Sequence, residues 1–420
     1  MMVFTSIYGV VDGIFVSNIA GKTPFAAINL IMPILMIIGA IGFMMGAGGT
    51  AVVAKTLGEG EGALANKYFS FITVATVVMG IVMACAGFIF IRPLSILLGA
   101  EGELLEYCVI YGRIVIAAMP FFMLQNLFQS FFVAAEKPKL GLWVTIAAGV
   151  TNMVLDALLV GALRWGLAGA AIATSISQMI GGTIPIVYFA RNNDSLLKLT
   201  RTKFYGTILL KSATNGSSEL MSNISASIVT VLYNMQLMKF AGENGVAAYG
   251  IIMYVSFFFI AIFIGYSVGT APIVGYNFGA SNKSELKSLL KKSTVITFSV
   301  GAAMSLFAFV FANPLSKIFV SYDEELFEMT ARGLRIFALS FLLSGFCIFI
   351  SSFFTALNNG PVSAAISFLR TLVYQLLGVL ILPLLFKLDG IWYSMLVSEV
   401  LALITTVIFL LANRKKYGYM

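Results

Sequence analysis

The chain is a succession of long apolar stretches, many of about 20 residues or more, separated by short polar joints. At about 1.5 Å of rise per residue, some 20 helical residues cross a bilayer core. Regular polar–apolar alternation, the mark of a membrane barrel strand, does not occur in them. The pattern predicts twelve helices, over 1–19, 24–54, 67–92, 104–134, 138–163, 167–190, 207–240, 245–277, 288–313, 325–356, 360–386 and 389–411. The second, fourth, eighth and tenth are longer than a bilayer requires and are expected to tilt or project beyond it.

The pattern also repeats. Shifted by 221 residues, Gly21, Ala26, Ala27, Gly48 and Gly58 fall on Gly242, Ala247, Ala248, Gly269 and Gly279. Pro93-Leu94-Ser95 falls on Pro314-Leu315-Ser316, Glu103 on Glu324, Gly112 on Gly333, Gly169 on Gly390 and Ser177 on Ser398. Apolar bias alone would not hold glycines, a proline and an acid in register. The fold class is therefore an all-α integral membrane protein of twelve transmembrane helices in two six-helix bundles. Six helices per half is an even number, so the halves share an orientation, related by a pseudo-two-fold axis along the membrane normal. The expected organisation is an N-terminal lobe over 1–190, a cytoplasmic linker over 191–206, a C-terminal lobe over 207–413 and a basic cytoplasmic tail over 414–420. The register partner of Gly206, where the seventh helix begins, would precede Met1. The chain is thus expected to start inside its first helix.

Composition sharpens this picture. Hydrophobic residues make up 60% of the chain and charged residues 10%, with a mean hydropathy of +0.97. Soluble chains carry about 25% charged residues. Joints after even-numbered helices, with the C-terminal tail, hold sixteen Lys and Arg, and joints after odd-numbered helices hold six. This asymmetry places both termini in the cytoplasm of a multi-pass protein of the bacterial inner membrane. It accounts for the net charge of +8 and points to membrane lipid, with no nucleic acid, as the anionic partner. The chain is expected to be monomeric.

Charges inside apolar helices need a reason, because each costs a few kcal/mol or more at the bilayer centre. The first lobe has Asp12 and Asp156, and the second has Glu219, Arg370 and Glu399. Tyr8 and Asp12 are four apart, as are Asn152 and Asp156, so each pair shares a helix face. Two carboxylates brought together in low dielectric cannot both stay charged without a proton or a cation between them. Such a pair is suited to take up H⁺ or Na⁺ and release it when water enters. Glu219, Tyr233, Asn234, Arg370 and Glu399 are the second-lobe candidates, and an ion pair within one lobe would also explain the charged ones.

Other classes lack their signatures. There is no histidine, no HExxH and no Asp-rich metal motif, and an enzyme is not expected. No cofactor is expected beyond the coupling ion. Cys85, Cys108 and Cys347 have no metal spacing and read as small buried hydrophobes. Gly46-Ala47-Gly48-Gly49 lacks the Lys-Ser/Thr of a phosphate loop and reads as close helix packing. Twenty Met and 36 Phe suit a wall for promiscuous apolar ligands. A flippase for a lipid-linked or other anionic precursor is the alternative, and it would want more intramembrane arginine than Arg370. A channel should lack the paired carboxylates.

Four segments, IYGVVDGIFVSNIAG, NMVLDALLV followed by GLAGAAIATSISQ, LYNMQLMKFAGENGVAAYGI and GTAPIVGYNFGASN, carry a family resemblance. Together they resemble the multidrug and toxic compound extrusion (MATE) family, in its MepA-like bacterial branch, over essentially the whole chain. The resemblance implies two six-helix bundles around a central cavity and export of cationic or amphipathic drugs in exchange for protons or sodium. It also implies a first-lobe cation site of Tyr8, Asp12, Asn152, Asp156 and Thr174. Two departures stand out. The family's LDPL reads LDAL here, which removes a proline kink beside Asp156, and the Gly-x-Pro entry of the seventh helix reads SATNGSSEL. Glu219 lies near the acidic position used by sodium-coupled relatives.

Overall fold

The computed structural model describes residues 22–320 and 323–420, and among them the ordered elements are helical. The predicted first helix, with Tyr8 and Asp12, lies outside the described residues. The chain divides into two compact units, Met1–Gly216 and Ser217–Met420.

The first unit holds α1 (Lys22–Gly58), α2 (Gly62–Leu97), α3 (Gly102–Ala117), α4 (Met119–Ala134), α5 (Pro138–Leu155) and α6 (Gly166–Ala190). Beyond α5 the same helix widens into a π-helical stretch, Asp156–Ala162. The long α7 (Gly206–Gly279) breaks at Gly242, whose φ of 61° and ψ of −150° are not helical. The second unit continues with α8 (Lys283–Val310), α9 (Ala312–Phe319), α10 (Glu324–Ala338), α11 (Phe341–Ala356) and α12 (Gly360–Phe368). A π stretch, Leu369–Val373, leads into α13 (Tyr374–Tyr417), which breaks at Lys387. Among the described residues seven helices are long and apolar enough to span a bilayer, and two bent pairs bring the number to nine. The breaks at Gly242 and Lys387 split two of the seven. The described residues thus supply eleven of the twelve predicted spans.

The predicted fourth and tenth helices are not straight. Each is a bent pair, α3–α4 at 56° and α10–α11 at 49°. The bend absorbs length that a straight helix would need to lose by tilting. The bends fall at Ala118 and Leu339, which are 221 residues apart. Left-handed backbone recurs in the same register, at Gly60 (φ 83°) and Ser281 (φ 55°), and at Gly166 (φ 55°) and Lys387 (φ 52°). The duplication therefore extends to conformations that only glycine adopts without cost, and the second unit holds two of them with non-glycine residues.

Close packing in the first unit depends on the glycine cluster of α1. A Cβ on Gly46 would meet the backbone of Leu127 at 3.1 Å, and one on Gly49 would meet Ile72 at 3.0 Å. A Cβ on Gly48 would run into the Ser212 carbonyl oxygen in the first turns of α7, and Gly216 meets Met44 in the same way. Three glycines thus admit three different helices, the packing role expected of them. Cys108 and Cys347 are buried as expected, whereas Cys85 is exposed on α2.

Residues 191–205 are strapped to the first unit. The Lys198 amide donates to Asn66 Oδ1 (2.8 Å), the Thr200 amide to Ser70 Oγ (2.8 Å) and the Thr202 hydroxyl to the Lys67 carbonyl (2.8 Å). The Phe204 and Tyr205 rings pack on Phe71 and Tyr68. Lys137 at the head of α5 pairs with Asp194 at 2.9 Å. Its ammonium group holds the Asp194 carboxyl below the usual carboxylate range.

Candidate functional site

Asp156 and Asn152 face the interior of the first unit from one side of α5, with exposures of 0% and 1%. Asp156 opens the π stretch. A π turn leaves the regular i→i−4 ladder, and such turns gather at functional sites. Ala157, which stands where the LDPL pattern has proline, lies in this widened turn. Helix α6 packs antiparallel along α5, where a Cβ on Gly169 would meet the Leu159 carbonyl carbon at 3.2 Å. That contact sets the register, so Thr174 lies at a level between Asn152 and Asp156. Asn152 Oδ1 and Thr174 Oγ1 are buried and have no protein hydrogen-bond partner among the described residues. A buried oxygen left so costs about 1–3 kcal/mol. Three of the five predicted first-lobe residues thus lie on the adjacent helices α5 and α6, and the other two lie outside the described residues.

In the second unit the structure pairs two of the predicted residues directly. Arg370 sits on the second π stretch and reaches across to Glu399 on α13. Its Nε donates to both carboxylate oxygens at 3.0 Å and its Nη2 to Oε1 at 2.7 Å. The Glu399 side chain is 0% exposed and that of Arg370 12%. Tyr233 is buried and stacks on Tyr249 with ring centroids 4.9 Å apart. Glu219 and Asn234 are half-buried on α7. Among the described residues each unit therefore carries one π stretch with an ionisable residue in it, but at positions the 221-residue register does not relate.

The sequence reading passed over two polar groupings. One is a seam of hydroxyls in the second unit, where Thr355 meets Ser363 (2.7 Å), and Ser351 meets both Ser363 (3.0 Å) and Ser367 (2.9 Å). These bonds tie α11 to α12. The other lies in the first unit, where Gln125, Gln129 and Gln178 are buried with Oε1 atoms that have no partner among the described residues. The four-residue spacing of Gln125 and Gln129 was the available signal, since it puts two amides on one face of an apolar helix. No group of three or more metal-ligating side chains occurs among the described residues.

The MatE family profile matches residues 1–158 and 220–381. The chain is 26% identical over 417 residues to the multidrug export protein MepA of Staphylococcus haemolyticus, covering 97% of this chain and 90% of that protein. It is 24% identical over the same length to MepA of Staphylococcus saprophyticus, with the same coverage. Among solved structures it superposes on an outward-facing multidrug resistance MATE family transporter with a TM-score of 0.94, at 22% identity, over 100% of this chain and 95% of that one. A MATE crystallised in complex with MaL6 superposes with a TM-score of 0.93, at 22% identity, over 99% and 93%. The fold is the twelve-helix fold of these transporters.

Proposed function

This chain belongs to the MatE family, and from that premise we propose that it exports cationic or amphipathic drugs across the bacterial inner membrane by cation-coupled alternating access. The observation that carries the coupling is Asp156, fully buried at a π turn on α5 with Asn152 one turn away. A charged carboxylate buried in an apolar bundle is costly, so a proton or cation that neutralises it binds with that free energy in its favour. In this reading H⁺ or Na⁺ reaches Asp156 and Asp12 from outside, with Tyr8, Asn152 and Thr174 supplying neutral oxygens. Neutralising the site lets the first-unit helices repack, drug affinity falls and the drug leaves outward. Release of the ion to the cytoplasm resets the cycle. Packed helices switch between discrete arrangements, so a small change at the site becomes a large one. The distribution of basic residues supports cytoplasmic termini.

The Arg370–Glu399 pair weighs against a flippase for anionic precursors. The guanidinium is already neutralised by a bidentate carboxylate, so it offers no free charge to a phosphate. The test is dye export from proteoliposomes under H⁺ and Na⁺ gradients imposed separately. Export should collapse with one of the two gradients, and Asp12→Asn and Asp156→Asn should each remove that dependence. If both variants export normally with unchanged ion dependence, the coupling site is wrong.

A further inference from the structure

We propose that the first unit contains a hydrated polar lane between α4, α5 and α6, which carries the coupling ion from Asp156 to the cytoplasm. The proposal rests on the reading of Asp156 as the ion site.

The lane begins with a cavity of about 10 Å³ lined by Gln125, Gln129 and Phe132 of α4, Gly141, Val144 and Thr145 of α5, and Gly181 of α6. That is roughly the room one water needs, provided it meets two or more polar partners. Gln125 and Gln129 meet the condition. They are 6% and 5% exposed, and their Oε1 atoms have no protein partner among the described residues. Two unsatisfied amide oxygens at one cavity would together cost several kcal/mol in an apolar bundle. Gly181 is what makes the room, because a Cβ there would stand 2.7 Å from the Gln125 amide carbon. The helices have given up a side chain to keep an amide pointing into the cavity.

The cavity is placed between the two ends of the route. Along α5, Thr145 is eleven residues from Asp156 and eight from Lys137 at the head of the helix. At 1.5 Å per residue these are roughly 16 and 12 Å. The upper interval is not apolar. Asn152 Oδ1, Thr174 Oγ1 and Gln178 Oε1 lie along it, each buried and without a protein partner among the described residues. On α6, Thr174, Gln178 and Gly181 succeed one another at helical spacing, on the side where Gly181 meets Gln125 of α4. In the membrane portion of these three helices Asp156 is the only acid, and α4 and α6 contain no Lys, Arg, Asp or Glu. A column of neutral oxygens below a single carboxylate has the chemistry of a water-filled proton relay. The same carbonyl and hydroxyl oxygens also suit Na⁺.

The experiment uses the full chain in proteoliposomes. Hydroxyl radicals are generated in bound water and modification is read at Phe132, which lines the cavity, and at Phe128, equally buried one turn earlier. Phe132 should be modified several-fold faster than Phe128, and Q125L/Q129L should abolish the difference. In the same variant gradient-driven export should fall about tenfold, the effect of losing roughly 1.4 kcal/mol at one step, with drug Kd within twofold of the parent. Q129M, close to glutamine in shape, should show a smaller change of the same sign and serves if the double variant does not fold. Equal labelling of Phe132 and Phe128 in the parent, or parental export by the folded Q125L/Q129L chain, overturns the lane. If Asp156→Asn leaves ion dependence intact, the coupling site falls. The lane then stands only if Q125L/Q129L still lowers both Phe132 labelling and export.

Discussion

Removing Glu399 should be among the most damaging single changes in the second unit. The carboxylate accepts three hydrogen bonds from Arg370 in a setting closed to water. Glu399→Gln keeps the shape but leaves the guanidinium charged and uncompensated. Breaking a buried pair on one side costs about 3–5 kcal/mol. For a unit the size of Ser217–Met420, about 2–4 °C of midpoint is lost per kcal/mol, so the transition should fall by on the order of 10 °C. The double change Arg370→Met with Glu399→Leu removes both charges and fills similar volume, and it should recover most of that loss. The assay is thermal unfolding of purified protein in detergent, followed by loss of the monodisperse peak. A Glu399→Gln midpoint within about 2 °C of the parent, below the shift the broken pair requires, would refute the reasoning. So would a double variant no better than the single one.

Two register partners should respond in opposite ways to the same substitution. Gly48→Ala drives a methyl into the Ser212 carbonyl and should abolish stable expression, whereas Gly269→Ala, with nothing among the described residues within 4 Å of the added carbon, should leave yield and midpoint unchanged. At the strap, Asp194 has a lowered carboxyl pKa, so its contribution is complete above its ordinary value of 3.8 and is lost as pH falls through the lower folded value. Hydrogen exchange at the Leu199 amide, which donates to the Phe189 carbonyl, should therefore quicken in Asp194→Asn at neutral pH. It should match the parent once both are compared below that lower value, and an unchanged rate at neutral pH would exclude the tether.

The spans within the described residues and the duplication were legible in the sequence alone. A bilayer supplies no partner for a backbone N–H, so an apolar stretch of sufficient length has to be helical, and its ends are legible from glycines and charges. The structure extends the duplication to the turns at Gly60 and Ser281, which share left-handed backbone in the same register. Asp156 and Asn152 were legible because a charge in an apolar helix is rare and a four-residue spacing fixes a face. What the tertiary structure decided was which polar groups meet. Arg370 and Glu399 are 29 residues apart and could have served separate ends, and only the crossing of the eleventh and twelfth spans joins them. The bends at Ala118 and Leu339 and the two π stretches left no mark in the apolar periodicity. The cavity of Gln125, Gln129 and Gly181 was only half legible, since the spacing of the two glutamines marks a shared face of α4 but not the Gly181 it meets on α6. Contacts of this kind depend on how deeply one helix seats into another. That depth is set by glycines such as Gly48 and Gly181, whose neighbours are distant in sequence.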